Sequence, residues 1–315
     1  MSSVKTPASH GDLDRRLAQN AEAVEALLAT LLAAEPAQGE IARPPRLVAA
    51  MRHGALGGGK RLRPFLTVET ARLLGAAPEQ GLRAGTAVEL LHCYSLVHDD
   101  LPAMDDDDLR RGRPTVHKAF DEATAILAGD ALLTLAFDVL ADEATHPSGA
   151  VRAALVSALA RASGLGGMVG GQMLDLAAEG RFEAQRDTLP EAAIRQLQAM
   201  KTGALLAASV EIGARLGGAD AEALAALGRY GRALGATFQV ADDILDIESD
   251  AAQMGKATAK DEGKGKATLI GALGLDGAKS ERDRLSEAAV TALAGFGPEA
   301  DVLRAAARFA AQRKS

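Results

Sequence analysis

The sequence predicts an all-α protein, and three observations carry that prediction. Alanine and leucine dominate a chain of 315 residues, 48% of them hydrophobic, and that mixture favours helices. There is no Trp, only two Tyr and seven Phe, and few β-branched runs, so the side chains that build strands are scarce. Glycine and proline clusters separate the apolar periodic stretches, with no alternating strand pattern between them.

In chain order, helices are predicted at 12–34, 44–56, 62–75, 79–100, 121–142, 148–180 (broken by glycines), 190–217, 220–249, 266–275, 280–295 and 298–312. The punctuation sets their ends. "EPAQGE" closes the first, "GALGGGK" the second and "GAAPE" the third. The fourth stops at Asp99 and Asp100, because Pro102 cannot continue it well. "RGRP" and "THPSG" flank the fifth, "LGGAD" divides the seventh from the eighth, and "GFGPE" precedes the last. "AVELLHCYSLVHDD" and "AILAGDALLTLAFDVLAD" are apolar nearly all round and are predicted to lie inside a large bundle. One domain over 1–315 is expected, with 1–11 flexible.

Composition narrows the function. A net charge of −7 argues against nucleic acid as a partner, since its binders carry a basic face. A single cysteine, Cys93, excludes an internal disulfide framework and a multi-cysteine metal site. The N-terminus is polar, without an apolar signal core, and no run of about 18 apolar residues is seen. No stable membrane insertion is expected, and a cytoplasmic location is.

Charge concentrates in two places. In "DDILD", Asp242 and Asp246 are i and i+4, so they share a helical face, with Phe238 one turn earlier. Stacked carboxylates repel, and a divalent cation between them relieves the repulsion. Oxygen-only ligands point to Mg²⁺ or Mn²⁺. Both carboxylates are placed toward the C-terminal end of their helix, where the macrodipole disfavours anions. The other place is "HDDLPAMDDDDLRRGRP", which holds six aspartates, three arginines and two prolines. By itself, Asp105 to Asp108 also reads as a solvated acidic loop or a cap. The spacing is not that of an EF-hand.

Basic clusters accompany these acids. "GGGKRLRP" sets Lys60, Arg61 and Arg63 after three glycines, and a glycine turn can bring backbone N–H groups to a phosphate. It is not a Walker A loop. Arg110 and Arg111 follow the aspartates directly. Lys201 interrupts an apolar stripe of Ile194, Leu197, Leu205 and Ala208, and a lysine there needs an anionic partner or must snorkel. Together the clusters describe a metal–diphosphate complex, with carboxylates holding the metal and Arg/Lys neutralising the remaining charge.

These stretches, with "HCYSLVHDDLPAMDDDDLRRGRPTVHKAF", "ILAGDALLTLAF", "GGQMLDL", "KTGALL", "FQVADDILD" and "MGKATAKDEGKGKATL", occur in order over about 57 to 270. On them the chain resembles the trans-prenyl diphosphate synthases, most closely the bacterial farnesyl branch. The resemblance implies an all-α bundle around a deep central cavity and a homodimer. It implies head-to-tail condensation of allylic diphosphates with the homoallylic isopentenyl diphosphate to give farnesyl diphosphate. A geranylgeranyl or longer-chain synthase, and a catalytically silent metal–diphosphate-binding subunit, are the alternatives.

Residue by residue, the resemblance implies that Asp99, Asp105 and Asp242 ligate three Mg²⁺, with Asp100, Asp243 and Asp246 supporting that metal shell. Arg110, Lys201, Lys256 and Lys266 would bind the allylic diphosphate. Lys60, Arg63, His92 and Arg111 would bind isopentenyl diphosphate, with Phe238 near its tail. Thr202 and Gln239 would face the developing carbocation. Tyr94, with Ser95 beside it, would set product length as a floor below the first motif. Gln172 and Asp175 are further candidates for supporting the site. Independently of the resemblance, His92 lies two helical turns before Asp99 on the same face. Gly203 after Thr202 would loosen a helix interior. The Arg313–Lys314 pair resembles a tail that closes over the isopentenyl site.

Overall fold

The computed structural model describes residues 10–182, 189–254 and 268–312, with 249–254 described by backbone alone. The all-α prediction holds. The helices are α1 (His10–Leu31), α2 (Pro45–Ala55), α3 (Leu62–Leu73), α4 (Pro78–Asp99), α5 (Val116–Ala119), α6 (Glu122–Ala141), α7 (Gly149–Ser163) and α8 (Met168–Ala178). They continue as α9 (Glu191–Gln198), a π-helical turn (Ala199–Gly203), α10 (Ala204–Leu216), α11 (Ala221–Met254), α12 (Leu269–Ala292) and α13 (Asp301–Gln312). Two-residue strands β1 (Leu109–Arg110) and β2 (Arg113–Pro114) pair antiparallel.

The structure differs from the sequence reading at four points. The break expected at 276–279 lies instead at Gly274, whose φ of 70° and ψ of 167° interrupt α12. The β1–β2 hairpin and α5 were not expected; the hairpin turns on Arg111 and Gly112, both at positive φ, which leave no periodic signal. The α6 helix is not enclosed all round. Ala125, Ala128, Leu132 and Ala136 are buried, whereas Ile126 and Leu127 are exposed. Stretches 122–141 and 149–178 are long and apolar enough to cross a membrane by length and composition, contrary to the sequence reading. The second is interrupted by the turn at 164–167, and α6 packs on α4 and α2.

The described residues form two compact units: Asp14–Ser157 with Arg215–Gly218, and the remainder. In the first, α4 is the central element, buried along Ala84, Ala87, Val88, Leu90 and Leu91 between α3 and α6. Arg61 caps α3 from a left-handed conformation and turns inward, 4% exposed, onto Glu89 (2.7 Å), Glu25 (2.6 Å) and the Ala55 carbonyl (2.6 Å). A guanidinium so buried needs such partners.

In the second unit, α11 packs on α12, α13 and the π turn. The buried Tyr230 hydroxyl donates to the Leu303 carbonyl at 2.8 Å. Two glycines set the approach of the neighbouring backbones. A Cβ on Gly171 of α8 would fall 2.2 Å from the Lys201 nitrogen, and one on Gly235 of α11 would fall 2.9 Å from Gly203 Cα. Both positions exclude any side chain, so α8 and α11 close on the π turn from two sides.

Candidate active site

The first aspartate motif sits where α4 ends. The Asp105 N–H donates to the Asp99 carbonyl at 2.8 Å, folding the intervening loop so that the two aspartates adjoin. Asp100 is buried and accepts from Arg110 Nε at 2.7 Å, with Nη2 at 2.5 Å from the same oxygen. Burial raises the Asp100 pKa above the usual carboxylate range, and Arg110 opposes that rise. Asp107 lies 3.6 Å from Arg110, and Asp108 pairs with Lys118 at 2.8 Å. The acidic run therefore divides: Asp107 and Asp108 pair locally, Asp100 anchors Arg110, and the backbone bond brings Asp99 and Asp105 together.

Beside it lies the basic cluster. Arg63 Nη1 donates to His92 Nε2 at 3.1 Å, which requires the unprotonated nitrogen. Desolvation, then the charges of Arg63, Arg111, Arg61 and Arg110, hold the His92 pKa well below the ordinary histidine value. Burial first, then Glu89, pushes Cys93 up to about 12, so its thiol is no nucleophile. Lys60 is exposed, whereas Arg61, identical in type to Arg63, belongs to the core. The described contacts of the glycine loop run through its carbonyls: Arg111 Nη1 donates to the Gly58 carbonyl at 2.5 Å.

The sign of the His92 effect gives a prediction. As pH falls, the unfolded chain protonates first, so stability that is full above the ordinary histidine pKa is lost below it. In an NMR titration of the unliganded protein His92 should remain neutral near pH ~6, and the thermal midpoint should drop between about pH 7 and 5. A His92 midpoint at or above the ordinary value would overturn this reading.

The second aspartate motif belongs to the other unit. Asp242 is half-buried and Asp246 exposed on α11. The helix continues to Met254, so both lie in its interior and the expected cost at a helix end does not apply to them. Their mutual i,i+4 repulsion remains. Asp243 is buried and accepts from Gln198 Nε2 (2.8 Å), Gln239 Nε2 (3.1 Å) and the Leu269 N–H (3.3 Å). Desolvation raises its pKa against those three donors. Asp243 therefore ties α9, α11 and the start of α12 together, and Gln239 is engaged with it through its amide nitrogen. Phe238 is half-buried on the same helix.

Lys201 and Thr202 ride on the π turn, the loosening that Gly203 foreshadowed. Lys201 finds its anionic partner in Asp175 of α8, with which it forms an ion pair. One turn away, Gln172 is 9% exposed and neither of its amide atoms has a partner. Lys256, Lys266, Arg313 and Lys314 lie outside the described residues. Tyr94, buried on α4, meets the His98 ring edge-on with centroids 5.3 Å apart, and Ser95 donates to the His92 carbonyl at 2.8 Å. Desolvation, then Asp99 and Asp130, raises the Tyr94 pKa.

Among the described residues, no group of three or more His, Cys, Asp or Glu side chains is gathered to hold an ion unaided. The carboxylate pairs fit Mg²⁺ in another way. They supply hard oxygen donors and leave positions for phosphate oxygens and water, which is how Mg²⁺ is usually bound.

The model of the polyprenyl synthetase family matches residues 44–295. The chain belongs to this family. It is 46% identical over 272 residues to the farnesyl diphosphate synthase of Escherichia coli (strain K12), covering 85% of this chain and 89% of that protein. It is 40% identical over 259 residues to a chloroplastic geranylgeranyl pyrophosphate synthase of Catharanthus roseus, covering 82% and 71%. The crystal structure of an FPP/GFPP synthase from Zymomonas mobilis superposes with a TM-score of 0.84 at 44% identity, covering 95% of this chain and 98% of that one. Around these motifs the structure also places residues that sequence reasoning left out. Gln198, which holds Asp243, had no signal within its helix. Arg113 and His53, which bond the loops around Arg111, were visible only as residues near a glycine turn.

Proposed function

We propose that this polyprenyl synthetase is a prenyltransferase acting as one functional domain. It condenses isopentenyl diphosphate with dimethylallyl and then geranyl diphosphate, releasing (E,E)-farnesyl diphosphate. One observation carries the reading: Arg63 donates to a neutral His92 with the charge of Arg111 close by, in a chain that also carries two aspartate motifs. A cyclase acting on one allylic diphosphate has no need of that second anion site.

Asp99, Asp105 and Asp242, supported by Asp100, Asp243 and Asp246, would hold Mg²⁺, three ions being expected and Mn²⁺ an alternative. Bound metal would supply charge neutralisation of the departing diphosphate. Arg110 and Lys201, with Lys256 and Lys266, hold the allylic diphosphate oxygens. Lys60, Arg63, His92 and Arg111 hold isopentenyl diphosphate, with Phe238 near its tail. Thr202 and the carbonyls of the π turn direct their dipoles at the allylic carbon, and apolar walls exclude the water that would quench it. As the allylic C1–O bond breaks, the C3=C4 bond of isopentenyl diphosphate attacks that carbon through C4, and a C2 proton leaves to the released diphosphate, so no protein base is assigned. A homodimer agrees with the exposed Ile126 and Leu127 of α6. The location is cytoplasmic.

The test is a product assay with isopentenyl and dimethylallyl diphosphates and Mg²⁺. A dominant fifteen-carbon product is expected, and Tyr94→Ala should shift it to twenty carbons or more. The Catharanthus relative, less similar than the farnesyl synthases, is consistent with a longer-chain reading, and a wild-type product beyond fifteen carbons would select it. An unchanged product in Tyr94→Ala would remove Tyr94 as the floor. No turnover with either allylic substrate would select the silent subunit.

A further inference from the structure

We propose that His53 and Arg113 form a latch that positions Arg111 for the homoallylic diphosphate. The latch joins the glycine loop after α2 to the β1–β2 hairpin. Arg113 Nη1 donates to the Leu56 carbonyl at 2.8 Å, and its Nη2 lies 3.3 Å from His53 Nδ1. His53 Nε2 lies 2.7 Å from the Pro114 carbonyl. A carbonyl only accepts, so Nε2 carries the proton and Nδ1 is free to accept from Arg113. The single neutral tautomer thus bonds both ends of the hairpin strand. His53 is braced in turn by Phe120, which meets its ring edge-on with centroids 5.9 Å apart.

The glycines explain how the arginines reach the loop. A Cβ on Gly57 would lie 3.0 Å from Arg113 Nη1, and one on Gly59 would lie 2.8 Å from Arg111 Nη1. Each guanidinium therefore lies against a bare backbone. Arg111 itself has a φ of 54°, a conformation that a non-glycine residue keeps only when its surroundings hold it. Its neighbour Arg110 is anchored separately, on the buried Asp100. The latch is thus selective. Releasing it frees Arg111 from the loop that carries Lys60 and leads into Arg63, while Arg110 stays in place.

This inference rests on the substrate reading above, so its test includes a probe that needs no turnover. Arg113→Met and His53→Phe, which keeps the ring against Phe120, should each raise the KM for isopentenyl diphosphate about tenfold, the effect of one charge-assisted hydrogen bond. The KM for geranyl diphosphate should stay within about twofold, and the double variant should be little worse than either single one, because both remove one linkage. His53→Asn, whose Oδ1 can still accept from Arg113, should recover most of the affinity. In metal-free buffer, calorimetry with inorganic pyrophosphate should show about tenfold weaker binding in both variants. Inactive wild-type protein would overturn the proposed function and leave this calorimetric arm to decide the latch. Equal shifts of both KM values, a loss of kcat and thermal midpoint with both KM values unchanged, or wild-type pyrophosphate affinity in the variants would overturn the latch.

Discussion

Asp99→Ala and Asp242→Ala should each lower turnover about a thousandfold or more while the fold survives. Each removes a carboxylate assigned to the metal, so the charge of the departing diphosphate goes uncompensated. The helix itself disfavours both carboxylates. Asp99 is the last residue of α4, where the helix dipole disfavours an anion. Asp242 stacks over Asp246, and removing it relieves a repulsion of about 0.2–0.5 kcal/mol. The thermal midpoint should therefore stay within about 3 °C of the parent or rise slightly. Steady-state kinetics and a melting curve on the same preparation test both halves. Parental rates in either variant would sink the metal assignment.

The neighbouring position should behave in the opposite way. Asp243→Ala leaves Gln198 Nε2, Gln239 Nε2 and the Leu269 N–H without their acceptor. Each buried donor left unmade costs about 1–3 kcal/mol, and side-chain rearrangement recovers part of the sum. A loss of about 3–5 kcal/mol in a denaturant titration is expected, accompanied by a loss of activity. Asp243→Asn keeps one acceptor oxygen and should lose less. A stable but inactive Asp243→Ala would show that its carboxylate serves the metal alone. On the expected outcome, adjacent aspartates differ in what they lose: Asp242 chemistry, Asp243 structure.

The helices were legible because alanine, leucine and glycine–proline punctuation speak locally. The positions where reading failed depend on contacts distant in sequence. Arg61 and Arg63 are two residues apart and alike in chemistry. Only Glu25 and Glu89 decide that Arg61 enters the core. The hairpin after the acidic run depends on left-handed Arg111, which no periodicity announces. The α6 face bearing Ile126 and Leu127 reads as core by composition, and a single chain leaves it uncovered. Lys201 was the favourable case. A lysine on an apolar stripe demanded an anion, and Asp175 supplies it. The motif aspartates were readable as a set, yet only the contacts single out Asp100 and Asp243 as the buried carboxylates that brace their surroundings.

The π turn at Ala199–Gly203 amounts to one residue more than a regular helix would hold. Every side chain that follows is rotated by about 100° from where an uninterrupted α-helix would place it. The buried row of Leu205, Leu206 and Ala208 on α10 therefore faces inward only because of that surplus residue. Deleting one residue from "AMKTG" would shorten the chain by a single peptide unit. It would also turn the whole of α10 away from its packing partners. The residues proposed for the chemistry, Lys201 and Thr202, and the orientation of the next helix are thus encoded by the same five positions, and neither can be edited without the other.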